Sequence, residues 1–135
     1  MSLESRTQPL VLIAEDFDDA RELYRDYLEF SGFEVATVTN GRDAIERAVT
    51  LQPDVILMDA SMPVLDGWQA TKELKANPAT KQIPVLALTA HAFDDAKKEA
   101  RAAGCDGFVT KPCLPDDLVA RVRATLEGGK RKARR

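Results

Sequence analysis

At 135 residues, 44% hydrophobic and 30% charged, the chain has the size and composition of one globular domain, with little room for a second. Its net charge of −3 hides an asymmetry: five of the last six residues are basic, leaving 14 basic against 22 acidic residues elsewhere, a balance of −8 that would repel a phosphate backbone, so nucleic acid is not an expected ligand of the folded part. Two cysteines, Cys105 and Cys113, make neither a disulfide framework nor a zinc set, and no apolar run has the length of a signal peptide or a membrane span, so the expectation is a cytoplasmic protein with reduced thiols and no membrane partner.

Residues 1–8 are polar and aperiodic, and are expected to form a loose tail. Leu10 to Ala14 (LVLIA) is a continuous apolar run that stops at Glu15, Asp16, Asp18 and Asp19, as a strand buried on both faces would. From Ala20, the positions Leu23, Tyr24, Tyr27, Leu28 and Phe30 recur at helical steps, and Gly32 supplies a stop. Phe33 to Val38 alternates as a strand. After Asn40-Gly41, Ala44, Ile45, Ala48 and Val49 mark a second helix that ends near Pro53. Val55 to Met58 (VILM) is an apolar strand that delivers Asp59. A turn through Met62-Pro63 and Asp66-Gly67 leads to a helix carrying Trp68 and Leu74, stopped by Asn77-Pro78. Ile83 to Leu88 is a fourth strand with Thr89 at its exit, Phe93 to Ala103 a helix closed by Gly104, and Gly107 to Thr110 a short fifth strand ending at Lys111-Pro112. The last helix is expected from Pro115 to Leu126, with a domain over 9–127 and a basic tail over 128–135. Strands alternating with helices predict an α/β fold, a five-stranded parallel sheet with helices on both faces and right-handed crossovers.

Polar groups gather at the predicted strand ends: Glu15 and Asp16 after the first strand, Asp59 after the third, Thr89 after the fourth and Lys111 after the fifth. In an open parallel sheet these ends share one edge, where ligands bind beside a topological switch point. Three carboxylates brought together need a cation or protons. An all-oxygen donor set suits Mg²⁺, with Asp16 and Asp59 as ligands and Glu15 acting directly or through water. An aspartate beside such an ion is a nucleophile for phosphoryl transfer, a reaction that needs charge neutralisation and positioning. Lys111 and the Thr89 hydroxyl would serve the remaining phosphoryl oxygens.

From Leu10 to about Leu126 this pattern resembles the receiver domains of bacterial two-component response regulators. The matching pieces are Glu15-Asp16 after LVLIA, Asp59-Ala60-Ser61-Met62-Pro63 with Asp66-Gly67 after VILM, Thr89-Ala90, and Lys111-Pro112. The resemblance implies a flavodoxin-like strand order 2-1-3-4-5 and the Ser61 backbone carbonyl as a further Mg²⁺ ligand. It implies a phosphohistidine donor on a sensor histidine kinase or a histidine phosphotransfer protein, and a downstream protein target. It also implies a switch in which Thr89 moves toward the phosphoryl group and Phe108 turns inward. Ser61 and His91 would flank the attacking water and tune the lifetime of the acyl phosphate. The chain departs from the family pattern in Glu15, where many members have Asp, and in Phe108, where Tyr is common. Lys111-Pro112 resembles the family's cis peptide.

Singly, each residue has an ordinary reading: Asp59 a turn or capping aspartate, Thr89 a strand-end hydroxyl, Lys111 a solvated amine, Phe108 core, His91 a loop residue. Their order on one edge promotes them together. Two rivals stand beside the receiver: a phosphate-independent interaction module of the same fold, and an Asp-nucleophile phosphatase. The phosphatase pattern carries a second Asp two residues after the nucleophile, where this chain has Ser61.

Overall fold

The computed structural model describes residues 7–89, 94–111 and 113–133. Its elements are β1 (Leu10–Ala14), α1 (Asp18–Phe30), β2 (Glu34–Val38), α2 (Gly41–Leu51), β3 (Val55–Asp59), α3 (Gly67–Ala76), β4 (Val85–Thr89), α4 (Asp94–Ala103), β5 (Gly107–Thr110) and α5 (Pro115–Ala133). All strand pairs are parallel, as the alternation of strands and helices predicts, and the order is β2-β1-β3-β4-β5, as the resemblance implies.

Every residue of the three central strands is buried, because helices cover both faces of the sheet. Side-chain alternation then divides the interior into two cores. Val11, Ile13, Leu57 and Leu88 meet Tyr24 and Leu28 of α1 and Leu118 and Val122 of α5. On the other face Leu12, Ala14, Ile56 and Met58 meet Ala44 and Ala48 of α2 and Ala70 and Leu74 of α3.

The helix boundaries follow from local chemistry. Asn40 and Asp66 cap α2 and α3 by accepting hydrogen bonds from the amides of Asp43 and Gln69, each cap contributing about 1 kcal/mol. At the end of α1, Gly32 adopts φ 98°, and the amides of Gly32 and Phe33 return to the carbonyls of Glu29 and Leu28.

Several boundaries differ from the sequence reading. α1 starts at Asp18 and not at Ala20, and Asp18 and Asp19 form its first turn, where negative charge meets the positive end of the helix dipole. β4 begins at Val85, after Pro84, and not at Ile83, since proline has no amide to enter the ladder. The last helix does not stop at Leu126; it continues through Gly128 and Gly129 to Ala133, so its backbone occupies most of the expected tail. Two glycines cost about 1 kcal/mol each, but they follow a helix already packed through Leu118 and Val122, and each further residue adds a hydrogen bond without a new nucleation cost.

Candidate functional site

The register of β1 and β3 creates the site. Ala14 lies opposite Met58, so the next residues, Glu15 and Asp59, emerge side by side. Ala14 and Met58 face the α2/α3 core; alternation therefore turns Glu15 and Asp59 toward α1 and α5. Asp16 joins them from the β1–α1 connection, and one carboxylate oxygen of each of the three lies within 4.8 Å of the others. Glu15 is fully buried and Asp59 only 6% exposed, whereas Asp16 faces solvent.

Lys111 completes the cluster. Its Nζ donates to Glu15 Oε1 at 2.5 Å and to Asp59 Oδ2 at 3.4 Å. The ammonium thus sits on Glu15 in preference to Asp59, a contact helped by the extra methylene that distinguishes Glu from Asp. The Phe17 amide donates to Glu15 Oε2, and the Ser61 amide to Asp59 Oδ1.

The shape of the β3 exit depends on Gly67. Its amide donates to the Ala60 carbonyl at 3.1 Å, and a Cβ there would lie 2.0 Å from the Asp59 carbonyl oxygen. Only a residue without a side chain lets α3 start this close to the strand. Beside the carboxylates a groove of about 490 Å³ opens along α1, lined by Phe17, Leu23, Tyr24 and Cys113 together with Asp59 and Lys111.

Other expected residues fall as follows. Leu88, not Thr89, is the register partner of Asp59; Thr89 is buried one residue further along, on the opposite face by alternation. Phe108 is half-buried on β5, with Lys97 Nζ of α4 5.5 Å from its ring centroid. Ser61 is exposed beside Asp59. His91, Ala90 and Pro112, and with Pro112 the isomer of its peptide bond, lie outside the described residues. Residues beside the site to which the sequence assigns no role include Phe17, Arg21 and Tyr24; an arginine three positions after Asp18 on a helix was the available signal for Arg21.

Crowding shows in the proton affinities. Burial raises the pKa of Glu15, the Asp59 carboxylate raises it further, and Lys111 only partly offsets them. For Lys111, burial disfavours the ammonium, but Glu15 and Asp59 outweigh it and the pKa is raised. Glu15 therefore holds its proton more tightly folded than unfolded. Its contribution to stability is complete below its usual 4.5 and is lost as pH rises through its higher folded value. Lys111 contributes no change in that window. A dication binding the carboxylates competes with the proton. Thermal melts from pH 4.5 upward should show stability falling in chelator, and a stabilisation by MgCl₂ that grows with pH; a stabilisation that shrinks as pH rises would contradict this assignment.

Comparison with known proteins agrees with this geometry. Residues 11–123 match the response regulator receiver domain family. The polar-differentiation response regulator DivK of Brucella anthropi is 34% identical over 86% of this chain and 94% of its own. The transcriptional regulatory protein PrrA of Mycobacterium tuberculosis is 38% identical over 89% of this chain but 51% of its own. Among solved structures, the chemotaxis response regulator CheY4 of Vibrio cholerae superposes with a TM-score of 0.84 at 31% identity, covering 88% of this chain and 99% of that one. The receiver domain of the sensor histidine kinase PA1611 of Pseudomonas aeruginosa, solved with a magnesium ion in its active-site cleft, gives 0.84 at 29% identity, over 90% and 99% of the two chains. With its five-stranded 2-1-3-4-5 sheet and an acidic cluster at the switch point, the chain belongs to the response regulator receiver domain family, the phosphoacceptor signalling module of two-component systems.

Proposed function

We propose that Asp59 is the phosphoacceptor, that Mg²⁺ is held by Glu15, Asp16, Asp59 and the Ser61 backbone carbonyl, and that the phosphorylated module, residues 9–127, signals by contact with a downstream protein. The observation that carries this reading is the cluster itself: three carboxylates within 4.8 Å of one another, with an ammonium 2.5 and 3.4 Å from two of them. An all-oxygen donor set of this charge fits a hard dication. The ion, when bound, supplies charge neutralisation at the carboxylates and at a phosphoryl oxygen.

The chain's own residues do the rest. The Asp59 oxygen on the Lys111 side, Oδ2, attacks phosphorus in line with the departing group; the new P–O bond forms as the donor's P–N bond breaks, and the imidazole of a histidine kinase or phosphotransfer protein leaves with the electron pair. The Ser61 amide fixes the other Asp59 oxygen, so rotation of the nucleophile is already limited. Lys111, tethered to Glu15 and close to Asp59, is placed to pair a phosphoryl oxygen as negative charge arrives. Thr89 would reach a further oxygen by the loop movement the switch requires, with Phe108 turning inward behind it. Ser61 and His91 would tune the water that ends the state.

Among the described residues no helix is long and apolar enough to cross a membrane, and a cytoplasmic site of action is part of this reading. Incubation with acetyl phosphate and MgCl₂, followed by intact-mass measurement, tests it. A slowly decaying gain of one phosphoryl group that maps to Asp59 is expected. Continuous phosphate release at a high rate would favour a phosphatase, and an unchanged mass the phosphate-independent interaction module.

A further inference from the structure

Asp16 poses a positioning problem. Its carboxylate must stand within 4.8 Å of those of Glu15 and Asp59, yet it is exposed, and among the described residues no hydrogen bond or ion pair reaches it. Glu15 is pinned at its amide by the Val38 carbonyl, and at its carboxylate by Lys111 and the Phe17 amide. A free carboxylate on a connecting segment keeps its place only if the backbone beneath it is fixed.

Arg21 closes that segment. Only 17% exposed, it projects from the first turns of α1 back over the strand end. Its Nη1 donates to the Glu15 carbonyl oxygen at 3.1 Å, and its Nη2 to Asp18 Oδ1 at 2.5 Å. One planar fork thus holds the first and last residues of segment 15–18, and Asp16 lies between them. The Arg21 amide also donates to the Phe17 carbonyl, so Arg21 ties the segment at three points, the main-chain oxygens of Glu15 and Phe17 and the side chain of Asp18. A lysine offers a single donor centre and cannot span both acceptors in a fixed geometry.

We propose that Arg21 is a positioning residue for the metal site: its fork clasps both ends of segment 15–18 and thereby presents Asp16, which no side-chain contact among the described residues tethers, to a divalent cation. The proposal rests on the Mg²⁺ reading above. It also makes a prediction of sign. A guanidinium near the cluster repels a dication, so if Arg21 acted through charge alone, its removal would tighten Mg²⁺ binding; loss of the clasp weakens it.

Titration of the uniformly labelled full chain with MgCl₂ alone, followed through the amide resonances of Glu15, Asp16 and Phe17, separates the two. Arg21→Gln should raise the Mg²⁺ dissociation constant about ten-fold, the size usual for removal of an outer support of a metal ligand. Arg21→Lys, which keeps the charge and loses the fork, should shift it in the same direction, and it carries the test if the glutamine variant does not fold. Arg25→Gln, which removes exposed pairs with Asp26 and Glu29 on the same helix, should leave it unchanged. The same amides should exchange with solvent faster in both Arg21 variants before any metal is added. Wild-type binding with unaltered or tighter binding in the Arg21 variants overturns the clasp alone; a wild-type chain whose resonances ignore MgCl₂ overturns the metal reading and the clasp with it.

Discussion

Asp59→Asn is expected to abolish the phosphoryl mass gain from acetyl phosphate entirely while making the metal-free protein more stable by about 1 kcal/mol near neutral pH. The two effects come from the same carboxylate. Asparagine preserves the size of the side chain and an oxygen for the Ser61 amide, but it has no anionic oxygen to attack phosphorus. It also removes one of two buried neighbouring carboxylates, and with it an interaction that raises the Glu15 pKa. The attraction lost is the longer of the two Lys111 contacts, 3.4 Å against 2.5 Å, so the ammonium keeps its closer partner. MgCl₂ should consequently stabilise the variant less than the wild type. Intact-mass spectrometry and paired melts in chelator and in MgCl₂ check both halves. A phosphoryl adduct on the variant would remove Asp59 from its role, and a lower metal-free melting temperature would show that Asp59 is held mainly by attraction.

Gly67→Ala should cost about 3 kcal/mol, at the upper end of ordinary overpacking, and lower the melting temperature by about 10 °C. The added methyl would stand 2.0 Å from the Asp59 carbonyl oxygen and 2.9 Å from the Ala60 Cα. Both are backbone atoms, one at the last residue of β3 and one at the residue after it, so no side chain can swing aside to make room. Relief requires either α3 or the end of β3 to move, and the second displaces Asp59 from Glu15 and Lys111. Phosphorylation should therefore slow in the fraction that remains folded. Thermal melts and single-turnover phosphorylation measure the two consequences. Native stability in the alanine variant would show that the α3 terminus yields without cost.

Much of this was legible in the sequence because it is local. Apolar runs such as LVLIA and VILM identify buried strands, Gly32 ends α1 as a left-handed glycine should, and the acidic residues begin where the apolar runs stop. The adjacency of Glu15 and Asp59 was legible only through an assumption about register, which depends on the long-range pairing of Ala14 with Met58. Thr89 shows the limit: its place at a strand end was readable, but its position one step past the partner of Asp59 was not. The role of Arg21 was not legible, because its acceptor at Glu15 is a main-chain oxygen, which carries no signature in residue types. The length of α5 was hidden for a related reason, since paired glycines read as a stop when the packing that precedes them is out of view.

The sheet is also a partition. Side chains of Ile13 and Leu57 fill one compartment, and those of Leu12 and Ile56 the other, with the backbone ladder as the wall between them. A void opened by truncating Leu28 cannot be refilled from the chamber that holds Leu74, so damage on the two sides accumulates without compensation. The acidic cluster sits where that wall ends, at the border of the two rooms.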